Sequence, residues 1–102
     1  MLVEMGDDPR FTDELNNLTE QLGRNPSLDV VLDMRGVSYI NSANLGKLLK
    51  ARAVVIANER RLFLAGMAKQ VWEILLFVKL DTIFEVAEDT SSALASLHTE
   101  RK

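Results

Sequence analysis

The sequence predicts an α/β domain in which amphipathic helices pack on one face of a small mixed β-sheet. Three observations carry the prediction. Short apolar runs at residues 2–5, 30–34, 62–65 and 83–86 alternate with stretches of helical period. The run Val30-Val31-Leu32 is continuous and rich in β-branched residues, as in a strand buried on both faces. The chain has 102 residues, enough for one core but not two, so residues 1–102 are read as a single domain.

Residues 2–5 are short and partly alternating, and Gly6-Asp7-Asp8-Pro9 ends them with strong turn chemistry. Phe11, Leu15, Leu18 and Leu22 recur at spacings of four, three and four. That predicts a helix over residues 11–24 with one buried stripe, capped by Thr12 and ended by Gly23 and Pro26. Residues 30–34 form the central strand. A second helix opens at Asn41 or Ser42 and runs to about Asn58, with Leu45, Leu48, Leu49, Ala53 and Ile56 inward. Arg60-Arg61 lead into a strand at 62–65, closed by Gly66. Residues 68–78 read as a short helix with Val71, Trp72, Leu75 and Leu76 inward and Phe77 assigned to the core. A turn at Lys79-Leu80-Asp81 precedes a strand at 83–86, and Asp89 or Thr90 caps a last helix carrying Ala93, Leu94 and Leu97. The tail after His98 is charged and expected to fray.

Composition narrows the function classes. The net charge is −3 with both signs interspersed, which argues against nucleic acid as a partner, since phosphate binding needs a basic surplus. Cysteine is absent and the one histidine, His98, lies near the end of the chain, so no metal site and no cofactor are expected. No apolar run reaches the ~20 residues of a membrane span. Residues 1–8 lack the basic and apolar segments of a signal peptide, so a cytoplasmic location is expected. No phosphate-cradling glycine motif and no paired carboxylates are present, so catalysis is not expected.

The most informative stretch is Leu32-Asp33-Met34-Arg35-Gly36-Val37-Ser38-Tyr39-Ile40-Asn41-Ser42-Ala43-Asn44-Leu45-Gly46. A buried strand is followed at once by Asn and Ser at a helix start, where such side chains satisfy free backbone N–H groups. This run resembles the signature of STAS domains, as in bacterial anti-sigma factor antagonists. There a strand ending in an acid leads through a hydrophobic-Asp-Ser-Ser/Ala-Gly-Leu-Gly turn into a helix. The resemblance spans roughly residues 6–97, and the helix at Ala68-Lys69-Gln70-Val71-Trp72 with Leu80-Asp81-Thr82-Ile83-Phe84 fits the family's close. The family's first strand is missing ahead of residues 2–5. Either the chain is trimmed or the sheet edge is open, and an open edge carries the expectation of a homodimer.

The resemblance implies an interaction module that binds a kinase-type anti-sigma factor, a serine kinase, and is switched off when that kinase phosphorylates Ser42. It places the partner-binding residues at Asn41, Ser42, Ala43 and Asn44, with Asp7 and Asp8 as the family's acidic turn nearby. Two residues depart from the pattern: Asn41 stands where the family has an acid, and Asn44 where it has Gly. The alternative reading is a STAS scaffold or transporter accessory that is never phosphorylated. By residue type and spacing alone, Ser42 reads as a helix cap contributing about 1 kcal/mol. Asp33 reads as a carboxylate that orders its loop. Lys47, Lys50, Arg52, Arg60 and Arg61 read as a solvated basic face that could also meet an anion.

Overall fold

The computed structural model describes residues 1–100, with the backbone alone at residues 99 and 100. Arg101 and Lys102, the end of the tail expected to fray, lie outside the described residues. The elements are β1 (Leu2–Gly6), α1 (Arg10–Arg24), β2 (Val30–Gly36), α2 (Ser42–Ala57), β3 (Leu62–Ala65), α3 (Lys69–Phe77), β4 (Glu85–Ala87) and α4 (Thr90–Glu100). The alternation expected from the apolar runs is the alternation found.

The strands lie in the order β1-β2-β3-β4 and every neighbouring pair is parallel. The sheet expected to be mixed is therefore parallel throughout the described residues. Each connection contains a helix, and a helical crossover brings the chain back in its original direction, whereas a hairpin would reverse it. Three successive right-handed crossovers that step the same way along the sheet must put their helices on the same face. So α1, α2 and α3 share one core with Val3, Met5, Val30, Leu32, Met34 and Leu64.

No strand follows α4, and it takes the opposite face. Its Ala93 and Leu97 form a second, smaller core with Val31, Phe63 and Ala65. The one-face expectation holds for three helices and fails for the fourth. The physical cause is visible in β2, whose alternate side chains are buried on both sides, so both faces of the sheet need a cover.

Two helices turn differently from expectation. In α2 the buried residues are Asn44, Leu48, Ala51 and Val55, while Ala53 and Ile56 are exposed. Its apolar residues occur nearly all round the helix, so periodicity alone does not choose the inward face. In α3, Val71 and Leu75 fill the core four residues apart, and Trp72 is only partly buried. Leu76 is exposed, and Phe77 points away from the core at 87 % exposure. Leu94 of α4 is exposed as well. The last strand begins two residues later than expected, with Phe84 buried just ahead of it.

Gly36 and Gly66 are required by close approaches. A side chain at Gly36 would place its Cβ 2.7 Å from the Met5 carbonyl oxygen, where the β1–β2 register shifts. Gly66 has φ +69° and a Cβ there would lie 2.6 Å from Arg35 Cγ.

The packing makes an unequal pair of substitutions in α2. Leu48 is fully buried, so Leu48→Ala should cost about 2–5 kcal/mol in urea unfolding. Ile56→Ala, on the exposed side, should cost less than about 1 kcal/mol.

Candidate functional site

Parallel neighbours end on the same side of a sheet, so the loops after β1 and β2 lie beside each other. The first carries Asp7 and Asp8 and the second Ser38 to Asn41. Asp7 accepts the Ser38 backbone N–H at 2.9 Å on one oxygen and the Ser38 hydroxyl at 2.5 Å on the other. Asp8 accepts the Thr12 N–H at 3.0 Å and the Thr12 hydroxyl at 2.7 Å, both on Oδ1. Its Oδ2 accepts from Asn44 Nδ2 at 2.8 Å. Thr12, expected to cap α1, is therefore the donor, and Asp8 supplies the oxygen that satisfies the first turn.

The start of α2 is closed by its two asparagines. Asn41 is the N-cap residue, and its Oδ1 accepts the Asn44 N–H at 2.8 Å. Asn44 Oδ1 accepts the Asn41 N–H at 3.1 Å, which completes a reciprocal capping box. The two departures from the sequence pattern are thus one structural unit. Asn44 is only 3 % exposed and uses both ends of its amide, one on α2 and one on Asp8. A glycine there could make neither contact.

Ser42 follows as the first helical residue, exposed beside exposed Ala43. Because Asn41 makes the cap, the Ser42 hydroxyl is not used by the helix. Tyr39 flanks it on the loop at 61 % exposure. Asn41, Ser42 and Ala43 therefore reach the surface together, and Asn44 supports them from below. Tyr39 was not legible as a surface residue, because a lone aromatic in an apolar run reads as core. Ser38 was missed too, and Thr12 was read as a cap without its partner Asp8; the Asp8–Thr12 spacing carries a local signal, but the Asp7–Ser38 contact joins residues 31 apart.

The carboxyls at this end of the sheet are held in their charged form. Asp7 is pulled below its ordinary value of 3.8, first by the Ser38 hydroxyl and then by the Ser38 N–H. Asp8 is lowered first by Asn44 and then by Thr12. Buried Asp33 is lowered by Arg35, whose Nη2 lies 2.7 Å from Oδ2 and whose backbone N–H donates to Oδ1 at 3.1 Å. These bonds stay within β2, so among the described residues Asp33 holds Arg35 and not the loop that follows, where the sequence had placed its role.

Three of the five basic residues, Arg52, Arg60 and Arg61, are committed elsewhere. Arg61 forms a two-pronged pair with Glu85 and lies 4.9 Å from the Phe63 ring centre. Arg60 stands 3.9 Å from Asp29, and Arg52 donates to the Ile83 carbonyl at 3.2 Å. Among the described residues, no group of three or more His, Asp or Glu could hold a metal ion, and His98 is exposed on α4. No helix among them is long and apolar enough to cross a membrane.

The family model of the STAS domain matches residues 7–93. The chain belongs to the STAS domain family. A comparison with curated proteins finds no match. The matched region contains every residue of the site, from Asp7 to Asn44, and begins directly after β1. The STAS domain here thus supports one loop-and-helix surface, tied together by Asp7 and Asp8.

Two measurements check this geometry. Asn41→Ala should cost about 1 kcal/mol by removing the cap, whereas Ser42→Ala should change urea-unfolding stability by less than about 0.5 kcal/mol. Acid should act through the lowered carboxyls, which bind protons less readily folded than unfolded. Their contribution is complete above about pH 4 and is lost as pH falls through their lowered folded-state values. Ser38→Ala should make that acid-side loss shallower in unfolding curves taken between about pH 5 and pH 2.

Proposed function

We propose that this STAS domain is an anti-sigma factor antagonist: it binds a kinase-type anti-sigma factor and is switched off by phosphorylation of Ser42. The observation that carries the reading is the division of labour at the start of α2. Asn41 caps the helix, and Ser42, the residue the STAS signature aligns with the phosphorylated serine, is exposed with its hydroxyl unused.

The modification step is ordinary phosphoryl transfer, with the chemistry supplied by the kinase. Ser42 Oγ attacks the γ-phosphorus of ATP, the hydroxyl proton passes to a base of the kinase, and ADP leaves. The product carries about −1.5 to −2 charges at a helix N-terminus, which favours anions. The first turn of α2 contains no acidic residue to oppose it. The fold therefore tolerates the phosphate, while a partner packed on Tyr39, Asn41, Ser42 and Ala43 meets a new dianion. The switch acts on binding without refolding. Asp7 and Asp8 act within the chain, since their oxygens hold Ser38, Thr12 and Asn44.

The test uses the kinase partner and Mg²⁺-ATP. One phosphate should be added at Ser42, seen by mass spectrometry, and partner affinity should fall on the order of tenfold or more. Ser42→Ala should block modification and keep binding, and Ser42→Asp should weaken binding although an acid in the first turn favours the helix. A Ser42→Asp variant that binds like wild type, with no phosphate taken up by the native chain, would favour the scaffold or transporter-accessory alternative.

A further inference from the structure

We propose that Asn41 sets the charge of the Ser42 switch: it caps α2 without adding a charge, so a phosphate on Ser42 is held as a full dianion at neutral pH. With Ser42 as the modified residue, the reading on which this rests, its neighbour acquires a part in the regulation.

The two atoms at the end of the Asn41 side chain have different duties. The Asn44 backbone N–H can only donate, so at 2.8 Å it fixes Asn41 Oδ1 as the capping atom. The Asn41 Nδ2 group takes part in no hydrogen bond among the described residues. An aspartate here would cap with one oxygen in the same way and put a second, charged oxygen where the amide has its NH2. Asn and Asp cap helices about equally well, so the fold does not choose between them. Asn44 Oδ1 returns to the backbone N–H of residue 41, a contact that either residue leaves in place. The choice bears instead on what stands next to position 41, and that is exposed Ser42.

A serine phosphate in water loses its second proton at about pH 6. At the start of α2 it lies in the positive field of a helix N-terminus, whose first N–H groups have no carbonyl one turn back. That field favours the dianion. A carboxylate on the adjacent residue would oppose the second negative charge and keep more of the phosphate as the monoanion. The other ionisable groups near this end of α2 are Asp7 and Asp8 ahead of α1, Arg10 and Asp13 in its first turn, Lys47 further along α2, and the Tyr39 phenol. β3, which also packs against α2, brings none. Asp7 and Asp8 are engaged with Ser38, Thr12 and Asn44. These groups act on the phosphate alike whichever residue occupies position 41, so the choice there sets the balance. Residues 39–43 carry no formal charge. All the charge a partner meets on them after modification is therefore the phosphate's own.

A phosphorus NMR titration tests it, on the full chain with phosphoserine incorporated at position 42 during synthesis, both folded and in urea. Because the phosphate is installed, the outcome does not depend on a kinase, and it fails separately from the modification of Ser42. The native chain should lose the second phosphate proton at a lower pH folded than unfolded. In Asn41→Asp the folded-state midpoint should rise by roughly half a pH unit or more, with a smaller change in urea. Asn41→Ser, a neutral cap, should titrate close to the native chain. Without the phosphate, both variants should melt near the native temperature, since all three residues cap well. Equal folded-state midpoints in the native chain and Asn41→Asp overturn the proposal. So does a native midpoint no lower folded than unfolded. A rise in Asn41→Ser as large as that in Asn41→Asp overturns it too, because cap geometry and not charge would then govern the phosphate.

Discussion

Parallel pairing of β1 with β2 is the constraint on which the rest of this structure depends. It sets two loops side by side at one end of the sheet and lets carboxylates from the first organise the second. Asp7 holds the loop after β2 through Ser38, and Asp8 ties the first turn of α1 to the first turn of α2 through Thr12 and Asn44. The approach is tight enough that only glycine fits at position 36, against the Met5 carbonyl. The surface around Ser42 is therefore supported from two strands and two helices, although its residues come from one short segment.

That support explains how an uncharged α2 start can work. Where the STAS signature carries an acid and a glycine, this chain has two asparagines that cap the helix reciprocally, and the second also reaches Asp8. Capping and anchoring fall to Asn41 and Asn44, so the hydroxyl between them is left for other chemistry. Charge remains in the neighbourhood, carried by Asp7 and Asp8, whose donors hold them ionised.

The other end of the sheet and its second face are closed by different means. Arg61 bridges to Glu85 across the β3–β4 pair while lying over Phe63, and Arg60 approaches Asp29. α4 covers β2, β3 and β4 from below. The cover stops short of β1, so the same asymmetry that leaves α4 off the crossover path also leaves Leu2 in solvent. Among the described residues, both the partial cover by α4 and the unpaired outer side of β1 follow from the strand order β1-β2-β3-β4.

The sequence by itself determined the α/β class, the order of all eight elements, the central position of β2 and the STAS signature ending at α2, because each rests on local pattern. Continuous β-branched residues mark a strand buried on both faces, and Phe11, Leu15, Leu18 and Leu22 mark a helix whose buried side is unambiguous. Where a helix is apolar all round, pattern loses its power, so the inward face of α2 and the exposure of Ile56 and Phe77 were decided by packing. The capping box was half legible: Asn41 was one of two named caps, but its partner Asn44 looked like an ill-fitting residue until Asp8 stood beside it. Contacts such as Asp7 to Ser38 and Asp8 to Asn44 join residues 31 and 36 apart, and no local period encodes a distance of that kind. Only the parallel register of β1 on β2 brings them together, so the sequence named the segment that carries the site and the tertiary structure decided which of its side chains support and which are free.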